Sequence, residues 1–305
     1  MMKADITLDS IYDFHQFAQL PAPEHPLVSM IDYSKVMYPP TYTDIKWVQN
    51  FYSIGLKRNV SKKFNYGQYS YDFQEGILAL VAPKQVIRIE IDPNAEANPS
   101  GWLLLIHPDF LWGSPLAQKL KSYDFFGYNV NEALFLSKKE ELLLIEIFKN
   151  IEKEYQANID KFTQNIILTQ IELLCNYTER FYERQFITRK IANNELLTQL
   201  DQLIDHHLNS RDLIDHGILT VTNIAHQLHI SPNYLTSLLR VLLGKTTQTY
   251  IQEKIIDKAK EKLSTTDLSV SEVAYELGFQ HPASFNKLFK KHTALTPTEF
   301  KKSFN

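Results

Sequence analysis

Ser269-Val270-Ser271-Glu272-Val273-Ala274-Tyr275-Glu276-Leu277-Gly278-Phe279 decides how this 305-residue chain is read. Ser269 and Glu272 have capping-box spacing, in which each side chain satisfies a backbone N–H at a helix start. Val273, Ala274 and Leu277 then share one face of a short helix, and Gly278 supplies a left-handed turn residue. Phe279 plugs the core, and a second helix follows from about Pro282 to His292, turned inward at Phe285, Leu288 and Phe289. Helix, tight turn, helix is a helix-turn-helix pattern.

The chain carries the pattern twice. Ile224-Ala225-x-x-Leu228 precedes Val273-Ala274-x-x-Leu277 by 49 residues. Thr220 caps a helix over Val221 to Leu228, His229-Ile230 makes the turn, and Ser231-Pro232 places a cap before a proline at the first helical position. In the helix that follows, Leu235, Leu238, Leu239 and Leu242 face inward and leave Asn233, Thr236, Ser237 and Arg240 outward. The two motifs span about 221–243 and 270–292, joined by an amphipathic helix from Thr249 to Leu263. Two probe helices on one connecting helix can address successive major grooves, which recur every ~34 Å on one face of a duplex.

Ser231-Pro232-x-Tyr234-Leu235, Gly244, Tyr250-Ile251, Ala259, Leu263, Ser269 to Phe279, Ser284-Phe285-x-Lys287-x-Phe289-Lys290-Lys291 and Thr296-Pro297 stand in one order and spacing. In these residues the chain resembles the AraC family of bacterial transcription regulators, over roughly 195–305. It departs from the family where glycine is replaced by His229 and Ala294, arginine by Lys254 and Lys301, and phenylalanine by Leu239. Lysine keeps the charge but loses the bidentate fork. The resemblance implies a regulator that binds double-stranded promoter DNA and recruits or blocks RNA polymerase.

By position on the probe helices, Asn233, Thr236, Ser237, Ala283, Asn286 and Lys287 are the candidates for base edges. Asparagine can pair with adenine, and alanine can touch a thymine methyl. Arg240, Lys245, Lys290 and Lys291 are the phosphate candidates, which position without specifying.

The first half has another texture. From Leu27 to Phe126 it is rich in aromatic and β-branched residues, with short runs broken by turn formers. Trp47 to Ile54, Tyr69 to Phe73 and Gln85 to Ile91 read as strands, which without helical crossovers suggest an antiparallel barrel or sandwich. Helical spacing follows, from a capping box at Ser137-x-x-Glu140 and again from about Ile159 to Tyr182. Pro83-x-Gln85 and Gly101-Trp102 through His107-Pro108-x-Phe110-Leu111 are similar to the AraC family's sensor region, a cupin-like barrel followed by helices.

The fold expected is therefore α+β and multidomain. A cupin-like antiparallel β-barrel with helices at about 138–184 forms a sensor and dimerisation domain over 1–184. A polar linker spans 185–195, and an all-α domain with two helix-turn-helix units spans 196–305. Tyr38, Trp47, Phe51, Tyr69, Tyr71 and Trp102 are the aromatic residues from which a small-molecule effector pocket could be built, with barrel core as the plain reading of each. The alternative function is a cupin-type small-molecule binding protein or enzyme with a helical appendage.

Composition narrows the classes. Nine glycines leave no Gly-rich phosphate loop, and the single cysteine, Cys175, excludes an internal disulfide and a cysteine zinc site. Neither a secretion signal nor a membrane-length apolar run is present, so a cytoplasmic protein without membrane attachment is expected. His206 and His207 are neighbours and point about 100° apart on a helix, His226 and His229 belong to the first motif, and His107-Pro108-Asp109 lacks the His-x-His of a metal cupin. No metal, no cofactor and no catalytic constellation are expected.

The net charge of −3 divides unevenly, with +4 on Gly217 to Asn305 and −7 on the remainder. A net +4 gives weak non-specific DNA affinity at physiological salt, so binding would lean on a second protomer and a homodimer is expected.

Overall fold

A computed structural model describes residues 2–38, 42–59, 76–90, 99–129, 132–158, 160–209 and 219–303. It divides into two compact units, Met1–Gln185 and Phe186–Asn305.

In the first unit the strands are β1 (Met2–Leu8), β2 (Val28–Asp32), β3 (Tyr42–Gln49), β4 (Tyr52–Arg58), β5 (Ile77–Val81), β6 (Val86–Glu90), β7 (Ser100–Ile106) and β8 (Leu134–Phe135). The helices are α1 (Ile11–Phe17), α2 (Leu116–Ser122), α3 (Lys138–Tyr155) and α4 (Thr163–Thr188), the last crossing into the second unit. The strands form a three-stranded sheet, β1-β3-β6, and a five-stranded sheet, β2-β7-β4-β5-β8. This corrects the expected barrel in two respects. The described strands make two separate sheets rather than a closed one, and β1 runs parallel to β3, so the pairing is not wholly antiparallel. Met2, Ala4, Ile6 and Leu8 alternate with Lys3, Asp5 and Thr7, a strand signal in the opening stretch that its mixed polar and acidic composition masks.

The run Trp47 to Ile54 is likewise two strands. It breaks at Asn50-Phe51, with β3 in the smaller sheet and β4 in the larger. Asn50 N–H donates to Leu8 O (2.9 Å), and the fully buried Phe51 meets Phe14 of α1 edge-on at 6.2 Å. One core cluster therefore takes Ile45, Trp47 and Ile87 from one sheet, Ile31, Val81, Leu103 and Leu105 from the other, and Ile11 and Phe14 from α1. Full burial of such a side chain stabilises by about 1.5–3 kcal/mol. Tyr69 to Phe73 lies outside the described residues.

β7 is apolar on both faces because both are covered. Leu103 and Leu105 enter the shared core, while Trp102 stacks on Phe148 of α3 with centroids 6.4 Å apart. Its first turn of chain needs glycine: Gly101 has φ 124°, and a Cβ there would lie 1.9 Å from Leu56 O. The box at Ser137 and Glu140 opens α3, and Arg184 of α4 then grips Glu140 with two nitrogens, at 2.9 and 2.7 Å. Burial pushes the Glu140 carboxyl up, but Ser137 and Arg184 together hold it below its ordinary value. Buried Glu141 is paired with Arg58 and Lys138.

The second unit contains α5 (Lys190–Asn209), α6 (Val221–Gln227), α7 (Pro232–Leu243), α8 (Thr247–Thr265), α9 (Val270–Glu276), α10 (Pro282–Thr293) and α11 (Pro297–Lys302). The polar stretch 185–195 is helical on either side of Arg189. α8 contacts α5, α7, α9, α10 and α11, and its Ile251, Ile255, Ile256, Ala259 and Leu263 form the middle of one core. Leu200, Ile204 and Leu208 of α5 enter that core, as do Ile224 and Ala225 of α6, Leu235 and Leu239 of α7, and Phe285 and Phe289 of α10. No helix among the described residues is long and apolar enough to cross a membrane.

Candidate nucleic-acid interface

α6 and α9 are each 7 residues long, and α7 and α10, which follow them, are each 12. Both longer helices open on proline, whose fixed φ suits a first helical position and whose missing N–H is no loss there. Ala225 and Ala274 are fully buried at matching places, where a small side chain lets the paired helices approach. Val221 is matched by Val270, 49 positions on, but Pro232 by Pro282, 50 positions on, so the second turn is one residue longer. Each pair ends on a left-handed residue, Gly244 (φ 67°) and Ala294 (φ 63°), and a threonine cap, Thr246 or Thr296, opens the next helix.

Burial fixes what the probe helices present. In α10, Phe285 and Phe289 are fully buried, and Ala283, Ser284, Asn286, Lys287, Lys290 and Lys291 are all exposed. In α7, Asn233 and Arg240 are exposed, whereas Thr236 is half-buried with its hydroxyl 3.1 Å from that of Thr247. Ser237 corrects the expectation of an outward residue, since it is 8% exposed. It lies one turn beyond Tyr234, on the side where Tyr234 packs edge-on against Phe186 at 5.1 Å, so α7 is covered on two sides rather than one.

The cations divide in the same way. Lys245 pairs with Glu253 at 2.7 Å, Lys254 with Asp201 at 2.7 Å and Lys262 with Glu276 at 2.6 Å. Lys301 donates to Leu268 O at 2.6 Å and so ties α11 to the segment after α8. Asp201 also accepts from Tyr250 Oη at 2.6 Å, and its carboxylate raises the Lys254 pKa. Lys287, Lys290 and Lys291 form no ion pair among the described residues, which leaves an open cationic face on α10. Such a face can bind phosphate oxygens through Lys290 and Lys291 and read base edges through Asn286 and Lys287. Ser284, exposed beside Asn286, adds an outward hydroxyl to this face.

The aromatic candidates of the first unit separate. Tyr38 and Trp47 line one cavity with Phe14, Tyr33 and Leu103, and their rings are 6.0 Å apart. Phe51 is core, Trp102 lies against α3, and Tyr69 and Tyr71 fall outside the described residues. Burial, with Tyr33 alongside, pushes the Tyr38 hydroxyl pKa up. Burial also pushes the Cys175 thiol up and so disfavours its reactive thiolate. No three His, Cys, Asp or Glu side chains are grouped to hold a metal among the described residues.

The helix-turn-helix domain family matches residues 224–303. The HTH-type transcriptional regulator YijO of Escherichia coli is 34% identical over 98 residues, 31% of this chain and 35% of that protein. The HTH-type regulator YfiF of Bacillus subtilis is 30% identical over 136 residues, 45% of this chain and 40% of that protein. The arabinose operon regulatory protein of Escherichia coli is 32% identical over 81 residues, 27% of this chain and 28% of that protein. The chain thus spans less than half the length of each of these relatives. Among solved structures, an AraC-type DNA-binding-domain regulator from Chromobacterium violaceum aligns over 37% of this chain and 96% of its own, with 21% identity and a TM-score of 0.33.

Proposed function

We propose, with residues 224–303 as a helix-turn-helix domain, that this chain is a sequence-specific DNA-binding transcription regulator of the AraC type. The observation that carries the reading is the pairing of two equivalent helix-turn-helix units on α8, the second of which leaves Lys287, Lys290 and Lys291 open. In this reading α7 and α10 enter successive major grooves. Asn233, Asn286 and Lys287 face bases, with Thr236 and Ala283 beside them, and Arg240, Lys290 and Lys291 hold phosphates. Lys245 joins them by exchanging Glu253 for a phosphate, an exchange that costs little because a solvent-exposed pair is worth only ~0–1 kcal/mol.

The unit Met1–Gln185 serves as the sensing and dimerising half, and the unit that follows as the DNA-binding half, with promoter DNA, RNA polymerase, an effector and a second copy of the chain as partners. Exposed Phe162, just before α4, with Ile166 and Leu173 along it, supplies apolar surface for the second copy. The test is capture of genomic fragments by the full chain, followed by affinity measured against salt. Sequence-selective binding that weakens steeply with salt supports the reading. Equal, negligible binding to every fragment overturns it.

A further inference from the structure

Two cavities of the first unit differ by an order of magnitude in size. The one between Tyr38, Trp47 and Phe14 has a volume of about 40 Å³. That is room for a few water molecules at most. The other has a volume of about 560 Å³, within the ~300–1,000 Å³ that small-molecule sites occupy. It lies away from the aromatic residues singled out in the sequence, where the segment before β2, Phe110 and the junction of α3 with α4 come together.

Long-range bonds tie its walls to one another. Glu24 N–H donates to Tyr155 Oη at 2.8 Å, across 131 residues of sequence. Gln164 Nε2 donates to Phe110 O at 2.8 Å. His25 meets the Phe110 ring edge-on at 5.6 Å and accepts from Leu27 N–H through Nδ1 at 3.1 Å, which leaves Nε2 as its protonated nitrogen. Burial lowers the His25 pKa.

The lining is apolar at Leu27, Val28, Phe110 and Ile167 and acidic at Glu24 and Asp160, with no lysine or arginine. Asp160 accepts from Phe162 N–H, Thr163 N–H and the Thr163 hydroxyl through Oδ1 alone, at 2.8, 3.0 and 3.2 Å. Its second carboxylate oxygen is not used by that cap. A site with two carboxylates, no positive side chain and a hydrocarbon and ring floor complements positive charge on an apolar body and repels anions.

We propose that this cavity binds a small organic cation, with an ammonium or guanidinium group held by Glu24 and Asp160 and an apolar body lying on Phe110, Leu27 and Ile167. Asp160, Thr163 and Gln164 stand at the start of α4, so the occupant would lie at the first turn of that helix within the first unit. Binding at the cavity does not depend on the DNA reading, and the experiment is done without DNA.

Tyramine and agmatine are titrated calorimetrically into the full chain at low salt, beside 4-hydroxyphenylacetate as an anion and sorbitol as a neutral polyol. At least one cation should bind with Kd near or below ~1 mM, at least about tenfold tighter than the anion or the polyol. Glu24 is exposed and its side chain makes no bond among the described residues, so E24Q should keep the parental melting temperature and weaken the cation about five- to tenfold. Absence of heat with both cations, equal affinity for the anion or the polyol, or unchanged affinity in E24Q overturns the proposal. A lowered melting temperature in E24Q leaves the ligand comparison on the parent chain as the deciding result.

Discussion

His229 and Gly278 occupy the same place in the two helix-turn-helix units, and both have left-handed backbones, with φ 57° and 78°. The other left-handed pair is reversed, with Gly244 in the first unit and Ala294 in the second. Each unit thus bends at two left-handed points, and each fills one of them with a residue that has a Cβ. That geometry costs a non-glycine residue roughly 1–2 kcal/mol, partly offset because glycine loses more freedom on folding.

His229→Gly and Ala294→Gly should therefore each stabilise the second unit by about 0.5–1 kcal/mol, and their effects should add, since the sites lie in different helix pairs. Gly278→Ala should cost about 1–2 kcal/mol. All three tryptophans, Trp47, Trp102 and Trp112, belong to the first unit, so unfolding of the second must be followed by far-ultraviolet circular dichroism. A destabilised His229→Gly variant would contradict the account.

Lys290→Ala should weaken binding to every DNA sequence and reduce the slope of log affinity against log salt by about one unit. Asn286→Ala should instead relax the choice at one base pair, with about 1–3 kcal/mol of lost discrimination. Equal losses on all operator variants would remove Asn286 from base reading.

Ser237→Ala separates buried from presented positions on α7. Because Ser237 is 8% exposed, its replacement should leave operator preference unchanged and alter stability by about 1 kcal/mol or less. Asn233→Ala, at an exposed position of the same helix, should change preference and leave stability alone. Competition binding across a set of single-base operator variants checks both.

His15 makes the first unit sensitive to mild acid. Its Nε2 lies 2.9 Å from Ser29 Oγ, its Nδ1 bonds Pro21 O, and burial lowers its pKa from 6.5. The unfolded chain therefore takes up the proton more readily, so this contribution is complete above about pH 6.5 and declines as pH falls below it. Melting followed by tryptophan fluorescence should fall between pH 7.5 and 5.5, and His15→Gln should flatten the dependence. An equally steep fall in the variant would assign the sensitivity to other groups.

Gly101→Ala places a methyl group 1.9 Å from Leu56 O at φ 124°. β7 and β4 must part to admit it, at a cost of about 3 kcal/mol or more. Melting of the variant should drop sharply in the tryptophan signal while the helical signal of the second unit persists.

The second unit was legible because each boundary is written locally. Ser269 with Glu272, Ser231 with Pro232, and Thr296 with Pro297 name helix starts without help from distant residues, and all three cap as their spacing implies. The first unit depends on partners remote in sequence. β1 is a strand because it lies along β3, and Trp47 to Ile54 splits because Asn50 bonds Leu8. The same limit applies to the candidate sites. Asn286 and Lys290 face outward by helical spacing alone, whereas Ser237 is buried one turn from Tyr234, whose ring packs on Phe186, a residue far away in sequence. The larger cavity joins residue 24 to residue 155 and has no local signature.

The extra residue in the second turn, together with the unequal faces of α7 and α10, gives the double unit a front and a back. A duplex gripped by one chain would be met by unlike probes at its two ends, so turning the same site end for end would make a different target. Binding of a single chain then carries an arrow along the duplex. In the proposed regulator, that arrow would let a promoter tell the side facing the gene from the side facing away without a second copy of the chain.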